Sequence, residues 1–335
     1  MSADRITAFL DLAGWAGARR RPLAGDASAR RYERLARPGG TAILMDSPDP
    51  ANDVVPFLKV AAILREIGLS VPAVLAADPG QGLLLLEDFG DSTFTRLMEA
   101  GEDPAALYRL ATDALVRLHR FFDPAAAEDL PRYDADLFVG QVMLFAETYL
   151  PHALGREPTG AERSALEAAW RRVVRPACEA VPSSLLHRDW HVDNLMRLEG
   201  RQGAAACGIL DFQQAGLGPV SYDLVSILED ARRDVPDAVR QAEIDHYLAA
   251  FPGLDRGRFL GSYGVMGAVR HTRILAVFAR LWLRDGRAGY LQHMPRVWRL
   301  LEGQLARAEL APVRAWFDAT LPPETRAPLF VSKSE

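Results

Sequence analysis

The chain has 335 residues, 49% of them hydrophobic and 25% charged, with a net formal charge of −5 and a pI near 5.9. This composition excludes a disordered or collagen-like chain and is long enough for one large domain or two smaller lobes with a cleft. Mild acidity, with no basic block longer than Arg19-Arg20-Arg21, argues against a nucleic-acid binder and for a small-molecule substrate.

In chain order, residues 3–17 read as an amphipathic helix. Arg31–Leu35 and Thr41–Met45 read as strands joined by the turn Arg37-Pro38-Gly39-Gly40. Asp53–Ile67 carries apolar residues at helical spacing and stops at Gly68, and Val71–Ala76 and Gly82–Leu86 return to extended patterning. From Ser92 the pattern turns helical, over 104–122, 137–149, 161–181, 219–231, 237–250, 257–284 and 294–308. Three short strands, 184–186, 195–198 and 207–210, interrupt it near the middle, and Pro322–Glu335 reads as a loose tail. The break falls near Glu87-Asp88-Phe89-Gly90-Asp91, which divides the chain into an N-terminal sheet lobe, 1–90, and a larger, mainly helical lobe, 91–335. Cys178 and Cys207 are too few for a disulfide scaffold and too far apart for a metal knuckle, so they read as core thiols. No apolar run reaches the roughly 18 residues of a membrane helix, and the N-terminal segment lacks a signal-peptide core, so a cytoplasmic protein with no membrane partner is expected.

The densest polar cluster is His187-Arg188-Asp189-Trp190-His191-Val192-Asp193-Asn194, entered from Leu185-Leu186 and left into Leu195-Met196. Seventeen residues after Asn194, the apolar strand Gly208-Ile209-Leu210 ends in Asp211-Phe212. Phosphoryl transfer needs one carboxylate to orient the acceptor hydroxyl and hard oxygen ligands to hold Mg²⁺ against nucleotide phosphates, and Asp189, Asn194 and Asp211 supply those types. The competing reading is zinc bound by His187, His191 and carboxylates, but there is no H-E-x-x-H helix. Neither a G-x-x-x-x-G-K-[ST] nor a G-x-G-x-x-G motif is present.

The order H-x-D-x-H-x-x-N followed by a strand ending in Asp-Phe resembles the protein-kinase-like fold in its aminoglycoside phosphotransferase variant. That resemblance implies a two-lobed α/β architecture with ATP in the cleft. Carried over, it makes Asp189 the residue that orients the acceptor and Asn194 and Asp211 the Mg²⁺ ligands. It makes His187 structural, and His191 a polar group near the transferring phosphate. It also implies adenine bound to the backbone around Glu87 to Phe89.

Three further stretches, Leu23–Tyr32, Leu84–Asp91 and Leu210–Pro219, supported by Tyr222–Ser226, Arg270-His271 and Phe278–Leu281, are similar to the anomeric N-acetylmuramate/N-acetylglucosamine kinases. That similarity implies ATP-dependent phosphorylation of a C1 hydroxyl to an α-1-phosphate. It further implies a role in peptidoglycan sugar recycling, with a sugar-1-phosphate uridylyltransferase acting next.

Two departures from a protein kinase stand out. The strand Ala42–Asp46 carries Met45 where a phosphate-binding lysine is expected, and the chain's two lysines are Lys59, on the next helix, and Lys333. Arg31, ahead of Arg30, is therefore the expected source of positive charge at the phosphates. The loop Gly25-Asp26-Ala27-Ser28 has a single glycine, but its amides and the Ser28 hydroxyl can still face a phosphate. For the sugar, Trp190 is expected to stack on the ring and Gln213 or Gln214 to bond its polar groups. Arg270, on a stripe with Arg273, Arg280 and Arg284 within about 80° of helical arc, is expected to meet an anionic acceptor. A cationic acceptor such as an aminoglycoside or choline, or homoserine on the same scaffold, is the alternative within the class. A pseudokinase that binds nucleotide without turnover is the alternative outside it.

Overall fold

The computed structural model describes residues 2–23 and 29–326. They form two compact units, one from residues 1–122 and 187–215, the other from 123–186 and 216–335.

The chain opens with α1 (Ser2–Leu12), which ends before residue 17 because Gly14 turns into the left-handed region at φ 74°. A five-stranded antiparallel sheet follows, β1 (Arg19–Pro22), β2 (Arg31–Arg37), β3 (Gly40–Asp46), β4 (Val74–Asp78) and β5 (Leu83–Glu87), in the order β1-β2-β3-β5-β4. β1 has no alternation of apolar residues and all four of its residues are exposed, so nothing in its sequence marks it as a strand. Between β3 and β4 lies α2 (Val54–Glu66), whose Val54, Phe57, Val60, Ala61 and Leu64 are buried at helical spacing and which is followed by Gly68 at φ 81°.

Side chains alternate across this sheet. Leu35, Ala42, Leu44, Leu83 and Leu85 form one buried cluster with Ile6, Phe9 and Leu10 of α1 and with Trp15. The registers Arg34↔Ile43 and Ile43↔Leu86 put Arg34, Ile43 and Leu86 on the other face, where a cavity opens. Next come α3 (Phe94–Glu99) and α4 (Pro104–Phe121), the latter capped by Asp103 with Pro104 at its first turn.

In the second unit, α5 (Ala135–Thr148), α6 (Leu150–Leu154) and α7 (Gly160–Glu179) are followed by β6 (Ser183–Leu186); Thr159 and Glu162 form a capping box at the start of α7. The chain then returns to the first unit as the hairpin β7 (Leu195–Arg197) and β8 (Cys207–Ile209). Bridges Ser70↔Gly208 and Thr93↔Met196 attach that hairpin to the sheet segment, and Ser70 Oγ donates to Ala205 O at 2.6 Å. The units therefore part at residue 122 instead of at 90, and the polar loop of 187–194 belongs with the sheet.

Back in the second unit, β9 (Gly216–Pro219) pairs with β6. Its glycines are required by close approach, since a Cβ on Gly216 would lie 2.3 Å from Pro131 O. The remainder is helical: α8 (Ser221–Leu228), α9 (Asp237–Ala250), α10 (Arg256–Asp285), α11 (Met294–Leu305), α12 (Ala311–Thr320) and α13 (Pro323–Arg326). The expected loose tail is thus helical over 323–326, and Arg326 is buried, donating to Leu321 O and to Asp318 Oδ1. No helix among the described residues is long and apolar enough to cross a membrane.

Leu44, 1% exposed, sits at the centre of the sheet's α1-facing cluster. Leu44→Ala is expected to cost about 2–5 kcal/mol through lost contacts and a residual cavity, seen as a lower urea midpoint at unchanged slope.

Candidate active site

A cavity of about 310 Å³ lies wholly within the first unit, a size in the range of small-molecule sites. Tyr32, Arg34 and Ile43 of the sheet form one wall, Phe89 and Gly90 of the linker after β5 another, and Asn194, Asp211 and Gln213 the floor. Arg34 ties wall to linker, donating to Asp88 Oδ1 (3.0 Å), Asp91 Oδ2 (2.8 Å) and Gly90 O (2.8 Å). Its guanidinium holds the Asp91 carboxyl below the usual range. Glu87 is equally tied down: its amide donates to Ala73 O, its Oε2 accepts from Ala73 N, and its Oε1 accepts from Arg201.

The polar loop is held by its own backbone and by the β7–β8 hairpin. His187 Nε2 donates to Leu210 O at 2.7 Å, a partner that only accepts and so fixes the tautomer. Leu210 N donates to Asn194 O at 2.9 Å, and with the register Leu195↔Ile209 this sets Asn194 beside the strand end that carries Asp211. Among the described residues, Arg188 (φ 76°) and Asp211 (φ 60°) are the non-glycine residues with positive φ. Strain of this kind, about 1–3 kcal/mol each, persists where the surroundings over-determine the backbone, and such positions cluster at functional sites. Arg188 is held by its bond to Gln214 Oε1, and Phe212 packs its ring 4.6 Å from that of Phe57 on α2.

The donor set fits a hard divalent cation. Asn194 Nδ2 donates to Asp189 O (3.0 Å) and lies 3.3 Å from His191 Nε2, which leaves Oδ1 as the side chain's acceptor for a cation. Asp211 supplies a carboxylate whose side chain is 36% exposed. One amide oxygen and one carboxylate suit an ion that keeps waters and shares phosphate oxygens. Among the described residues no three His, Cys, Asp or Glu side chains cluster to hold a metal, and His187 directs Nε2 at a carbonyl, so the zinc alternative loses its ligands.

Several expected site residues stand elsewhere. Arg31 is exposed, and the arginine in the site is Arg30, whose Nη2 lies 2.7 Å from Asp211 Oδ1 and whose Nε lies 4.0 Å from Asp53. The reason is strand parity: Arg30, Tyr32 and Arg34 line the cavity, so Arg31 falls on the opposite side. Burial opposes the charge on Arg30, but Tyr32, Asp211 and Asp53 outweigh it and raise its pKa; burial pushes Tyr32 up to about 12.

Trp190 is fully buried, edge-on to the His187 ring at 5.3 Å, so it is a core support of the loop and no surface for a sugar ring. Gln213 lines the cavity, but its Nε2 donates to Asp211 Oδ1 at 2.8 Å. Lys59 is absent from the cavity wall, and Met45 is buried in its strand. Gly25, Asp26 and Ser28 lie outside the described residues. Arg34, missed in the sequence, was marked only by sharing parity with Tyr32.

In the second unit Arg270 is buried, with Nη1 3.3 Å from Glu229 O, and faces protein where an acceptor was expected. The stripe fails because α10 is enclosed from Phe259 to Leu281 and exposed only at its two ends, over 256–258 and at 283–285, where Arg284 lies. Neighbouring His271 bonds Glu229 Oε2 at 2.7 Å, and Gln304 Nε2 donates to Oε1 at 2.6 Å.

An antiparallel sheet walling a cavity over a His-Asp-Asn loop and a strand-end aspartate defines a kinase-like phosphotransferase. The chain belongs to the phosphotransferase enzyme family, whose model it matches over residues 19–260. It is 38% identical over 356 residues to the N-acetylmuramate/N-acetylglucosamine kinase of Caulobacter vibrioides, covering 95% of this chain and 96% of that one. The enzyme of the same name from Pseudomonas aeruginosa is 36% identical over 296 residues, 85% of this chain and 83% of the relative. Among solved structures, a choline kinase from Streptococcus pneumoniae superposes with a TM-score of 0.63 at 11% identity, over 92% of this chain and all of that one. The GDP complex of aminoglycoside 2'-phosphotransferase-IIIa superposes with a TM-score of 0.59 at 15% identity, over 91% and 98%. These structures share the fold.

Burial keeps His271 neutral and lowers its pKa below the ordinary 6.5, against the opposing pull of Glu229. For Glu229, burial opposes the charge, but donation from His271 and Gln304 outweighs it and the pKa is lowered. The His271 contribution to stability is therefore present above pH 6.5 and lost as pH falls below it, by at most about 1.4 kcal/mol per pH unit. Urea midpoints between pH 7.5 and 5 are expected to fall less steeply in His271→Gln than in the wild type. An identical slope contradicts a neutral His271.

Proposed function

We propose that the protein is an ATP-dependent kinase that phosphorylates the anomeric C1 hydroxyl of N-acetylmuramate or N-acetylglucosamine to give the α-1-phosphate. The observation that carries this reading is the anchoring of the Asp189–Asn194 loop to the strand end of Asp211, at the floor of the sheet-walled cavity. The acceptor follows from the relatives, which are named for those two sugars.

In this reading the nucleotide lies in the cavity with its base toward the linker at Phe89 and its phosphates toward Arg30. Asn194 and Asp211 would hold Mg²⁺, which would supply positive charge to neutralise the phosphate oxygens. Asp189 accepts a hydrogen bond from the acceptor hydroxyl and aims its oxygen at the γ-phosphorus, taking the proton as the new O–P bond forms and the bond from the γ-phosphorus to the bridging oxygen breaks, so that ADP leaves with that oxygen. An anomeric hydroxyl is more acidic than an ordinary alcohol, so orientation and charge stabilisation carry more of the rate than proton removal. The 3.3 Å approach of His191 Nε2 to Asn194 Nδ2 supports a role for His191 near the transferring phosphate. The product is a sugar 1-phosphate, the form a uridylyltransferase consumes, in the cytoplasm where ATP is abundant.

Phosphorus NMR of the protein with Mg-ATP and each sugar is expected to show a phosphate coupled to the anomeric proton. A phosphate at C6 overturns the anomeric assignment, and no product with either sugar overturns the acceptor class. Asp189→Asn is expected to lower kcat about 10²–10⁴-fold, with sugar affinity retained; near wild-type turnover contradicts its role.

A further inference from the structure

We infer that Arg30 couples cation binding to nucleotide binding, keeping Asp211 closed to a bare divalent cation and releasing it when a polyphosphate enters the cavity. The inference rests on the reading of Asp211 as a cation ligand. The guanidinium lies 2.7 Å from Asp211 Oδ1, and the same oxygen accepts from Gln213 Nε2 at 2.8 Å. Both residues line the cavity, and with the arginine side chain 10% exposed and the carboxylate 36%, the cation is the more enclosed partner of the pair.

The electrostatic consequence is direct. The floor of the site offers one carboxylate, Asp211, and one neutral amide, Asn194, and Arg30 cancels the carboxylate's charge. A divalent ion arriving alone meets a neutralised ligand and a like charge a few ångströms away. A nucleotide brings several negative charges and planar oxygen arrays, which a guanidinium fork binds better than a single carboxylate oxygen. Arg30 then turns to the phosphates, and Asp211 is released to the ion that arrives with them.

With Met45 on β3 and Lys59 away from the cavity wall, no lysine among the described residues lines the cavity to make the phosphate contact independently of the metal ligand. One arginine therefore serves both ends of the equilibrium. By linkage, whatever draws Arg30 off Asp211 raises cation affinity by the same factor that the cation raises the affinity for that ligand.

The test uses the full chain, Mn²⁺ as the probe with free ion counted by electron paramagnetic resonance, and ATP binding in EDTA by calorimetry. Arg30→Gln is expected to bind Mn²⁺ without nucleotide about tenfold more tightly than the wild type, and to bind metal-free ATP about tenfold more weakly. Arg30→Lys, which keeps the charge, is expected to bind bare Mn²⁺ as weakly as the wild type, and it carries the test if the glutamine variant does not fold. Unchanged Mn²⁺ affinity in Arg30→Gln, or tightened affinity in Arg30→Lys, overturns the coupling. Asp211→Asn separates the two claims. If it leaves Mn²⁺ binding in the presence of a non-hydrolysable ATP analogue unchanged, the cation-ligand reading itself fails; if it abolishes that binding while Arg30→Gln changes nothing, only the coupling fails.

Discussion

The site depends on one short piece of backbone pairing. Leu210 donates its amide to Asn194 and gives its carbonyl to His187, so a single residue joins the start of the polar loop, its end, and the strand that presents Asp211. Everything proposed for catalysis requires those three points to hold fixed relations. An amide and a carboxylate share one cation only if their strands stay in register, and Asp189 keeps its aim only if the loop between His187 and Asn194 cannot reshape. The strained φ at Arg188 and at Asp211 falls at the two ends of this arrangement. Buried Trp190 and Phe212 support it from below, against His187 and Phe57 respectively.

Around this centre the sheet does two things with its two faces. One closes a hydrophobic cluster with α1, which gives the sheet its rigidity, and the other presents Tyr32, Arg34 and Ile43 to the cavity. Arg34 carries that rigidity into the linker through three acceptors between residues 88 and 91. Arg30 lies on the same side and is held by Asp211, the carboxylate from which the proposed coupling would draw it.

The candidate loop stood out in the sequence because phosphoryl transfer demands particular residue types in a fixed order, and a run of polar residues between apolar strands exposes such an order. The helices were legible for an equally physical reason, since α2, α4 and α10 bury apolar residues at regular spacing. What escaped depends on contacts the chain makes with distant parts of itself. Arg30 and Arg31 are indistinguishable until the register of β2 decides which faces the cavity. Trp190 has the chemistry of a sugar platform and the position of a core residue. Arg270 belongs to a cationic stripe on an isolated helix and to an interior once α10 is packed. β1 and β9 lack apolar alternation, the first being four exposed residues and the second mostly glycine and proline, so pairing alone reveals them.

The central claim is a division of labour between Asn194 and Asp211, which hold the cation, and Asp189, which orients the acceptor. The most direct measurement is the Mn²⁺ dissociation constant with a non-hydrolysable ATP analogue in Asn194→Ala, Asp211→Asn and Asp189→Asn, paired with turnover of each. The account predicts that the first two lose both cation affinity and turnover, while the third loses turnover and binds the cation as the wild type does. Loss of cation affinity in Asp189→Asn, or its retention in Asp211→Asn, would contradict it.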